Sequence, residues 1–107
     1  MTKDESAYLE HIRDSIERIE KYTNGMVESE FKSNELVQDA VIRQLQIIGE
    51  AAKKLSDGTR TSYPDVQWKD IAGMRDKLIH DYFGVDLGAV WDTVTNDLPE
   101  LRKALSM

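Results

Sequence analysis

The sequence predicts an all-α protein, an up-down bundle of four helices, and three observations support this fold class. Apolar residues recur every three or four positions through most of the 107 residues, which is the period of an amphipathic helix. No segment shows the sustained alternation of apolar and polar residues that is typical of a strand. The segments between the predicted helices are short, which favours antiparallel neighbours in a bundle. We therefore expect a single helical domain over residues 1–107, without repeats or linkers.

The first two helices are bounded by residues that commonly begin or end helices. The first carries an apolar stripe of Leu9, Ile12, Ile16 and Ile19, and Gly25 suits the left-handed position that follows a helix end. Ser33 or Asn34 can cap the second helix. Its broad apolar face contains Val37, Val41, Leu45, Ile48, Ala52 and Leu55. A face of this width can pack on two sides, so we predict that the second helix is central.

The third and fourth helices follow a turn at Tyr63-Pro64. Ser56–Thr59 is expected to end the second helix. The third helix is predicted from Trp68, Ile71, Met74, Leu78 and Ile79, and Gly84 interrupts its pattern. Asp86 is a suitable N-cap for the fourth, whose stripe contains Leu87, Trp91, Val94, Leu98, Leu101 and Leu105. Pro99 should kink or restart this helix near Leu98.

The composition excludes several classes of function. There is no Cys, which removes disulfides, Cys-based zinc sites and thiol nucleophiles and fits a reducing compartment. No apolar run approaches the roughly 20 residues that span a bilayer, and the charged N-terminus shows no secretory signal. We therefore predict a cytoplasmic protein that does not contact membranes. The net charge of −6 argues against a surface that binds nucleic acid everywhere. Any RNA contact should be a local patch.

The two His residues have different surroundings in the sequence. His11 lies on the polar side of the first helix and is interpreted as a solvated surface residue. His80 lies in a segment that also contains Arg75, Asp76 and Tyr82. An imidazole, with an unperturbed pKa of about 6.5, can exchange a proton with a ribose 2′-hydroxyl or a leaving oxygen. An Arg can stabilise the charge of a pentacoordinate phosphate, so RNA cleavage would need no metal. Alternatively, His80 simply caps the C-terminus of the third helix.

Helix geometry limits how these residues could cooperate. At about 100° per residue, Arg75 and His80 lie about 140° apart on an ideal helix. Asp76 and His80 have i, i+4 spacing, so Asp76 could orient the imidazole. For Arg75 and His80 to act on one phosphate, either the helix must distort before His80 or a second subunit must complete the site.

The segment Arg75-x4-His80-x-Tyr82 is similar to the RX4HXY motif of HepT-like proteins in the HEPN superfamily. The resemblance extends over nearly the whole chain. Its blocks are Ile48–Ala52, Tyr63-Pro64, Trp68, the run from Gly73 to Asp86, Trp91 and Asp97-Leu98-Pro99. This order of blocks is more specific than the motif alone.

The resemblance implies a HEPN bundle that forms a homodimer with the motif at the dimer cleft. It also implies a toxin of a type VII-like toxin–antitoxin system, an endoribonuclease that leaves a cyclic phosphate and uses neither metal nor cofactor. Carried onto this chain, Arg75 and His80 are expected to be catalytic, with Asp76 supporting them. Tyr82 corresponds to the tyrosine that a cognate minimal nucleotidyltransferase antitoxin adenylylates. The added charge and bulk would block RNA binding.

Other interpretations of these residues stay open. The chain could be a non-catalytic HEPN dimer that serves as a binding platform or substrate for the nucleotidyltransferase, and Tyr82 could be an ordinary core or rim residue. Gly49 is expected at a close helix contact, and Glu50 could be a buried partner of Arg75. Trp68 and Trp91 are expected to anchor the core or an interface rather than to stack on bases.

Overall fold

The computed structural model describes residues 3–80 and 84–107, and helices make up most of this part of the chain. They are α1 (Lys3–Thr23), α2 (Glu28–Lys32), α3 (Glu35–Lys53), α4 (Asp57–Thr61), α5 (Trp68–Ala72), α6 (Met74–Leu78), α7 (Leu87–Asp92) and α8 (Leu98–Ala104). A π-helical segment, Thr93–Asp97, joins α7 to α8. Two short strands, β1 (Ile79–His80) and β2 (Gly84–Val85), form an antiparallel pair. The predicted all-α bundle is confirmed, with this small pairing added.

The centre of the bundle is the pair α1 and α3. All four residues of the predicted α1 stripe are at most 1% exposed, and Val41 and Ile48 of α3 are fully buried. Helix α3 also packs against α2, α5 and α6, which confirms its predicted central position. Near the start of α1, a carboxylate oxygen of the buried Glu5 accepts hydrogen bonds from the Ser56 backbone N–H (2.6 Å) and the Thr59 hydroxyl (2.9 Å). This contact joins the first turn of α1 to the segment after α3, so the two helices run antiparallel.

The predicted end of the first helix and the predicted start of the second, which is α3, are confirmed, whereas α3 ends at Lys53, before the predicted end at Ser56–Thr59. Gly25 follows the end of α1 with a φ of 76°, in the left-handed region that glycine adopts without a steric cost. Asn34 caps α3, since its side-chain oxygen accepts a hydrogen bond from the Val37 N–H at 3.1 Å.

Two short helices were not predicted. Helix α2 buries Phe31 completely, and the Phe31 ring packs on Trp91 with ring centroids 5.3 Å apart. Helix α4 begins where the sequence indicated only the end of a helix. Its N-cap is Ser56, whose hydroxyl accepts from the Thr59 N–H at 3.3 Å. Five-residue helices are too short to show a clear apolar period, so the pattern did not distinguish them from loops.

The predicted third helix consists of two helices, α5 and α6, separated at Gly73. Helix α5 packs on α3 at Gly49, where a Cβ atom would lie 3.5 Å from the Ile71 carbonyl oxygen and 3.6 Å from that of Ala72. The expected close helix contact at Gly49 is therefore confirmed. The predicted continuation through Ile79 is wrong, because α6 ends at Leu78.

The fourth helical region is continuous but changes its winding. Asp86 caps α7 by accepting from the Ala89 N–H at 3.0 Å, as predicted. The winding becomes π-helical at Thr93 and returns to α-helical at Leu98. Pro99 thus falls in the first turn of α8, where its missing N–H is not needed, and the predicted restart near Leu98 is confirmed.

Helix α8 is held against α1 at two places. An Arg102 nitrogen lies 2.8 Å from a Glu20 carboxylate oxygen, and an Arg13 nitrogen donates to the Leu105 carbonyl at 3.4 Å. Leu98, Leu101 and Leu105 are buried, as their spacing predicted. None of the helices described is long and apolar enough to span a membrane.

Candidate active site

The motif residues lie around the end of α6. Arg75 and Asp76 belong to α6, and His80 is the second residue of β1. The side chain of Asp76 is exposed. Tyr82 falls outside the described residues, so its predicted role stays a prediction. The backbone therefore places three of the four predicted site residues within six positions, on two different elements.

The end of α6 changes the geometry that the sequence analysis assumed for Arg75 and His80. Because the helix stops at Leu78, His80 is not on the helical spiral that would set it about 140° away from Arg75. Of the two solutions that we considered, the structure contains the first, a departure from the helix before His80. Asp76 and His80 therefore do not share one regular helix, and the supporting role of Asp76 stays a prediction.

Hydrogen bonds and backbone conformation fix this helix end. The Leu78 carbonyl, which has no partner within α6, accepts from the Asp86 N–H at 3.1 Å. In the β1–β2 pair, Ile79 lies opposite Val85 and His80 opposite Gly84. Gly84 has a φ of 79°, a left-handed conformation that side chains disfavour. Asp86 therefore closes the β1–β2 pair with its backbone while it caps α7 with its side chain.

The helices that carry the motif are anchored in the core. Met74 and Leu78, on either side of Arg75, are 4% and 2% exposed. Trp68, at the start of α5, is buried, and its indole N–H donates to the Arg60 carbonyl at 3.0 Å. Its ring also meets the edge of Tyr63, with centroids 6.4 Å apart. The interpretation of Trp68 as a core anchor is confirmed, and the half-buried Trp91 packs on Phe31 in the same way.

Two further sequence interpretations can be judged. His11 is exposed, as expected of a solvated surface residue. Glu50 is also exposed, so its interpretation as a buried partner of Arg75 is wrong. The physical reason is that its neighbours Gly49 and Ala51 occupy the buried side of α3 and leave Glu50 on the solvent side.

The surroundings of the motif include one feature that the sequence did not reveal. A cavity of about 170 Å³ lies between α5 and the region where the π-helical segment joins α8. Four acidic residues line it, namely Asp65, Asp70, Asp97 and Glu100, and so does Met74 of α6. The acids are distant in the sequence, and only the tertiary fold places them around one opening.

The model of the HepT-like ribonuclease family matches residues 12–107, a range that includes the whole motif. The chain belongs to the HepT-like ribonuclease family. The expected family resemblance is thereby confirmed for the greater part of the sequence.

Two relatives illustrate how widely this family domain occurs. A Thermococcus cleftensis protein named "Probable ribonuclease HepT" is 43% identical, over 95% of this chain and 93% of its own length. A Methanocaldococcus jannaschii protein, named as a gamma-glutamylcyclotransferase and candidate RNase, is 49% identical over 98% of this chain. The chain spans only 47% of that protein's length, about half, so the HepT-like domain there is part of a longer protein.

The fold of this HepT-like chain also matches a solved structure. A Shewanella oneidensis HEPN toxin, solved in tri-AMPylated form in complex with an MNT antitoxin, aligns with a TM-score of 0.69. The alignment covers 99% of this chain and 96% of the toxin chain at 22% identity. The predicted HEPN type of the bundle is therefore confirmed.

Proposed function

We propose that this HepT-like protein is the toxin of a toxin–antitoxin pair, a metal-independent endoribonuclease. Arg75 and His80 are its catalytic residues, Asp76 supports them, and the site lies at the cleft of a homodimer. A minimal nucleotidyltransferase antitoxin neutralises it by adenylylating Tyr82. The observation that carries the proposal is the family match, which extends over the whole Arg75-x4-His80-x-Tyr82 segment.

Two further observations support the proposal. Two relatives that align with this chain over most of their own length are named as probable or candidate ribonucleases. The solved HEPN toxin of the same fold was captured in AMPylated form, in complex with an MNT antitoxin. In this chain, α6 ends at Leu78, which removes the need for Arg75 and His80 to act from opposite sides of one helix.

The proposed reaction is a transesterification. His80 takes the proton of the ribose 2′-hydroxyl, and the 2′-oxygen forms a bond to the adjacent phosphorus. Arg75 donates hydrogen bonds to the non-bridging oxygens while the pentacoordinate phosphorus carries its extra charge. The bond from phosphorus to the 5′-oxygen then breaks, and the protonated imidazole returns a proton to that oxygen. The products are a 2′,3′-cyclic phosphate and a 5′-hydroxyl, and no water is consumed.

Expression without a partner tests the catalytic proposal directly. Wild-type protein should arrest growth and fragment cellular RNA, and the purified chain should cut RNA in the presence of EDTA. His80→Ala should lower the cleavage rate by about 10²–10⁴-fold, the usual contribution of a general acid–base group. The matched control is His11→Ala, which removes the exposed His of α1 and should leave the rate unchanged. Equal rates for wild type and His80→Ala would reject His80 as a catalytic residue.

Mixed dimers test how the two subunits contribute. If Arg75 and His80 of one subunit act together, a mixture of Arg75→Ala and His80→Ala chains contains no intact site and should stay inactive. The end of α6 at Leu78 favours this result. Partial recovery of cleavage in the mixture would place the two residues of each site on different subunits.

The antitoxin proposal has its own measurement. Incubation with ATP and a nucleotidyltransferase encoded beside this gene should add AMP to the wild type and stop RNA cleavage, because each added phosphate places negative charge beside the site. Tyr82→Phe should not be modified. Tyr22→Phe, which changes a half-buried tyrosine of α1, should still be modified. Unchanged modification of Tyr82→Phe, read by mass spectrometry, would contradict the assignment.

The alternative is a non-catalytic HEPN dimer that serves as the platform or substrate of the nucleotidyltransferase. The net charge of −6 favours it, because phosphate backbones are repelled by an acidic surface. Harmless expression with intact RNA, together with adenylylation of Tyr82, would select this alternative over the ribonuclease.

A further inference from the structure

The cavity beside α6 combines an acidic rim with an apolar floor. Asp65, Asp70 and Glu100 are exposed and Asp97 is half-buried, so the carboxylates lie where the cavity meets solvent. The buried side chains of Val66, Ile71, Met74 and Leu101 line the cavity. The apolar floor offers no oxygen or nitrogen ligand atoms to a bare metal ion. A cation with a hydrocarbon stem would fit both parts.

The charges on the rim are not paired with a cation from the described side chains. Among the side chains that the structure describes, no Lys or Arg forms an ion pair with any of the four carboxylates, whereas ion pairs do form elsewhere at Glu10, Glu20 and Glu28. Four carboxylates around one opening make the local electrostatic potential more negative, which favours the binding of a cation.

Thr93 supplies an independent polar group inside the cavity. It lines the cavity and is only 3% exposed, and its hydroxyl makes no hydrogen bond to any residue in the described ranges 3–80 and 84–107. Other threonines at comparable helix positions bond backwards to a carbonyl, as Thr95 does to Trp91 at 2.9 Å. The hydroxyl oxygen is open to the cavity rather than enclosed, so a group bound there could take up its free hydrogen-bonding capacity. Thr93 also begins the π-helical segment, a winding that is common at functional sites.

The size of the cavity limits what could occupy it. A volume of about 170 Å³ is close to that of cavities that hold a single benzene-sized group. It is therefore suited to one side chain rather than to a nucleotide or an extended peptide. Arginine fits the two parts well, since its stem packs on apolar residues while its guanidinium offers five donors to carboxylate and hydroxyl oxygens.

We propose that this cavity binds the side chain of an arginine presented by a partner protein. The stem lies on Ile71 and Leu101, and the guanidinium donates to Asp97, Glu100 and the Thr93 hydroxyl. The bound side chain would contact Met74, the residue before Arg75. Its binding would therefore alter the packing of the helix that carries the motif. The proposal does not depend on RNA cleavage and would hold equally for the non-catalytic alternative.

Titration of the full chain with N-acetyl-arginine methylamide tests the proposal, with the methyl NMR signals of Ile71, Met74 and Leu101 as the readout. Saturable shifts of these three signals are expected. The matched ligand is N-acetyl-citrulline methylamide, which has nearly the same shape without the charge and should bind about tenfold more weakly or not at all. Equal shifts with both ligands would overturn the proposal.

Two double variants locate the binding. Asp97→Asn with Glu100→Gln should weaken arginine binding about tenfold, since charged hydrogen bonds are lost while the shape is kept. Asp14→Asn with Glu17→Gln removes two exposed charges of α1, outside the cavity, and should have no such effect. If both variants weaken binding equally, the interaction is only the general attraction of an acidic protein, and the proposed site is rejected.

A last arm distinguishes the source of the guanidinium. Butylguanidinium carries the same group and stem without a peptide backbone. If it shifts the three methyl signals and the blocked arginine does not, the cavity admits only a small free cation, and the role of a partner's arginine is excluded.

Discussion

The pair α1 and α3 and the segment from Met74 to Asp86 are built in opposite ways. The helix pair is long and regular, with α1 running for 21 residues and α3 for 19. Its inward face repeats at the helical period, and the four stripe residues of α1 are at most 1% exposed. In the segment from Met74 to Asp86, α6 lasts only five residues and is followed directly by β1. It depends on single features, such as the φ of Gly84 and the bond from Asp86 to Leu78.

The difference separates residues that we expect to stabilise the fold from residues that we expect to form the active site. A regular helix presents its side chains at fixed angles and cannot bring Arg75 and His80 to one side. Because α6 ends at Leu78, His80 lies on β1 instead of on the helix. Substitutions in the helix pair should therefore alter stability, and those around the motif should alter activity.

Ile16→Ala, in the middle of α1, should cause the largest loss of stability. Ile16 is fully buried, so the substitution leaves a cavity and should lower the free energy of unfolding by about 2–5 kcal/mol. Urea denaturation measures this loss, and the cleavage rate per folded molecule should not change. The control is Leu36→Ala on α3, where the side chain is 81% exposed and the expected change is within about 0.5 kcal/mol. A similar loss in both variants would show that burial does not govern this helix pair.

Glu5→Ala should have the next largest effect. The substitution leaves the Ser56 N–H and the Thr59 hydroxyl without their shared acceptor, and an unpaired buried donor costs about 1–3 kcal/mol. Glu17→Ala, which removes an exposed acid of the same helix, is the control and should be nearly neutral. If thermal unfolding shows equal midpoints for the two variants, Glu5 does not link α1 to α4 in the way described.

The smallest effect on stability, and the most informative contrast, comes from two glycines. Gly25 and Gly84 have nearly the same φ, 76° and 79°, and among the described residues no atom beyond the chain neighbours lies within 4 Å of a Cβ atom built at either position. Replacing either by Ala should cost about 1–2 kcal/mol from the backbone strain alone. Only Gly84→Ala should also slow RNA cleavage, because Gly84 pairs with His80. Equal cleavage rates for the two variants would show that the β1–β2 pair does not position the motif.

The elements with a clear period or a clear cap were predictable from the sequence. The structure contains the predicted α1 stripe, the caps at Asn34 and Asp86, the left-handed Gly25 and the restart of the helix near Pro99. Each depends on residues that are close in the chain, so local rules are sufficient to predict them. The motif itself was visible because its residues lie within eight positions.

The remainder depends on tertiary contacts. The end of α6 at Leu78 is stabilised by Asp86, eight residues later. Ile79 itself has no property from which a helix end could be predicted. The exposure of Glu50 follows from which side of α3 meets α5. The acidic cavity exists only because α8 returns to α5, since Asp70 and Glu100 are 30 residues apart in the sequence.

The π-helical segment of Thr93–Asp97 has a consequence for how this family can vary. A π-helical turn is in effect one residue inserted into an α-helix. Deleting one residue there would restore regular winding but rotate everything after it by about 100°, which would turn Leu98, Leu101 and Leu105 away from the core. Relatives that lack this residue should therefore carry their apolar stripe one position out of register along the last helix. An alignment of two HepT-like sequences should therefore place any one-residue gap of the last helical region at this segment.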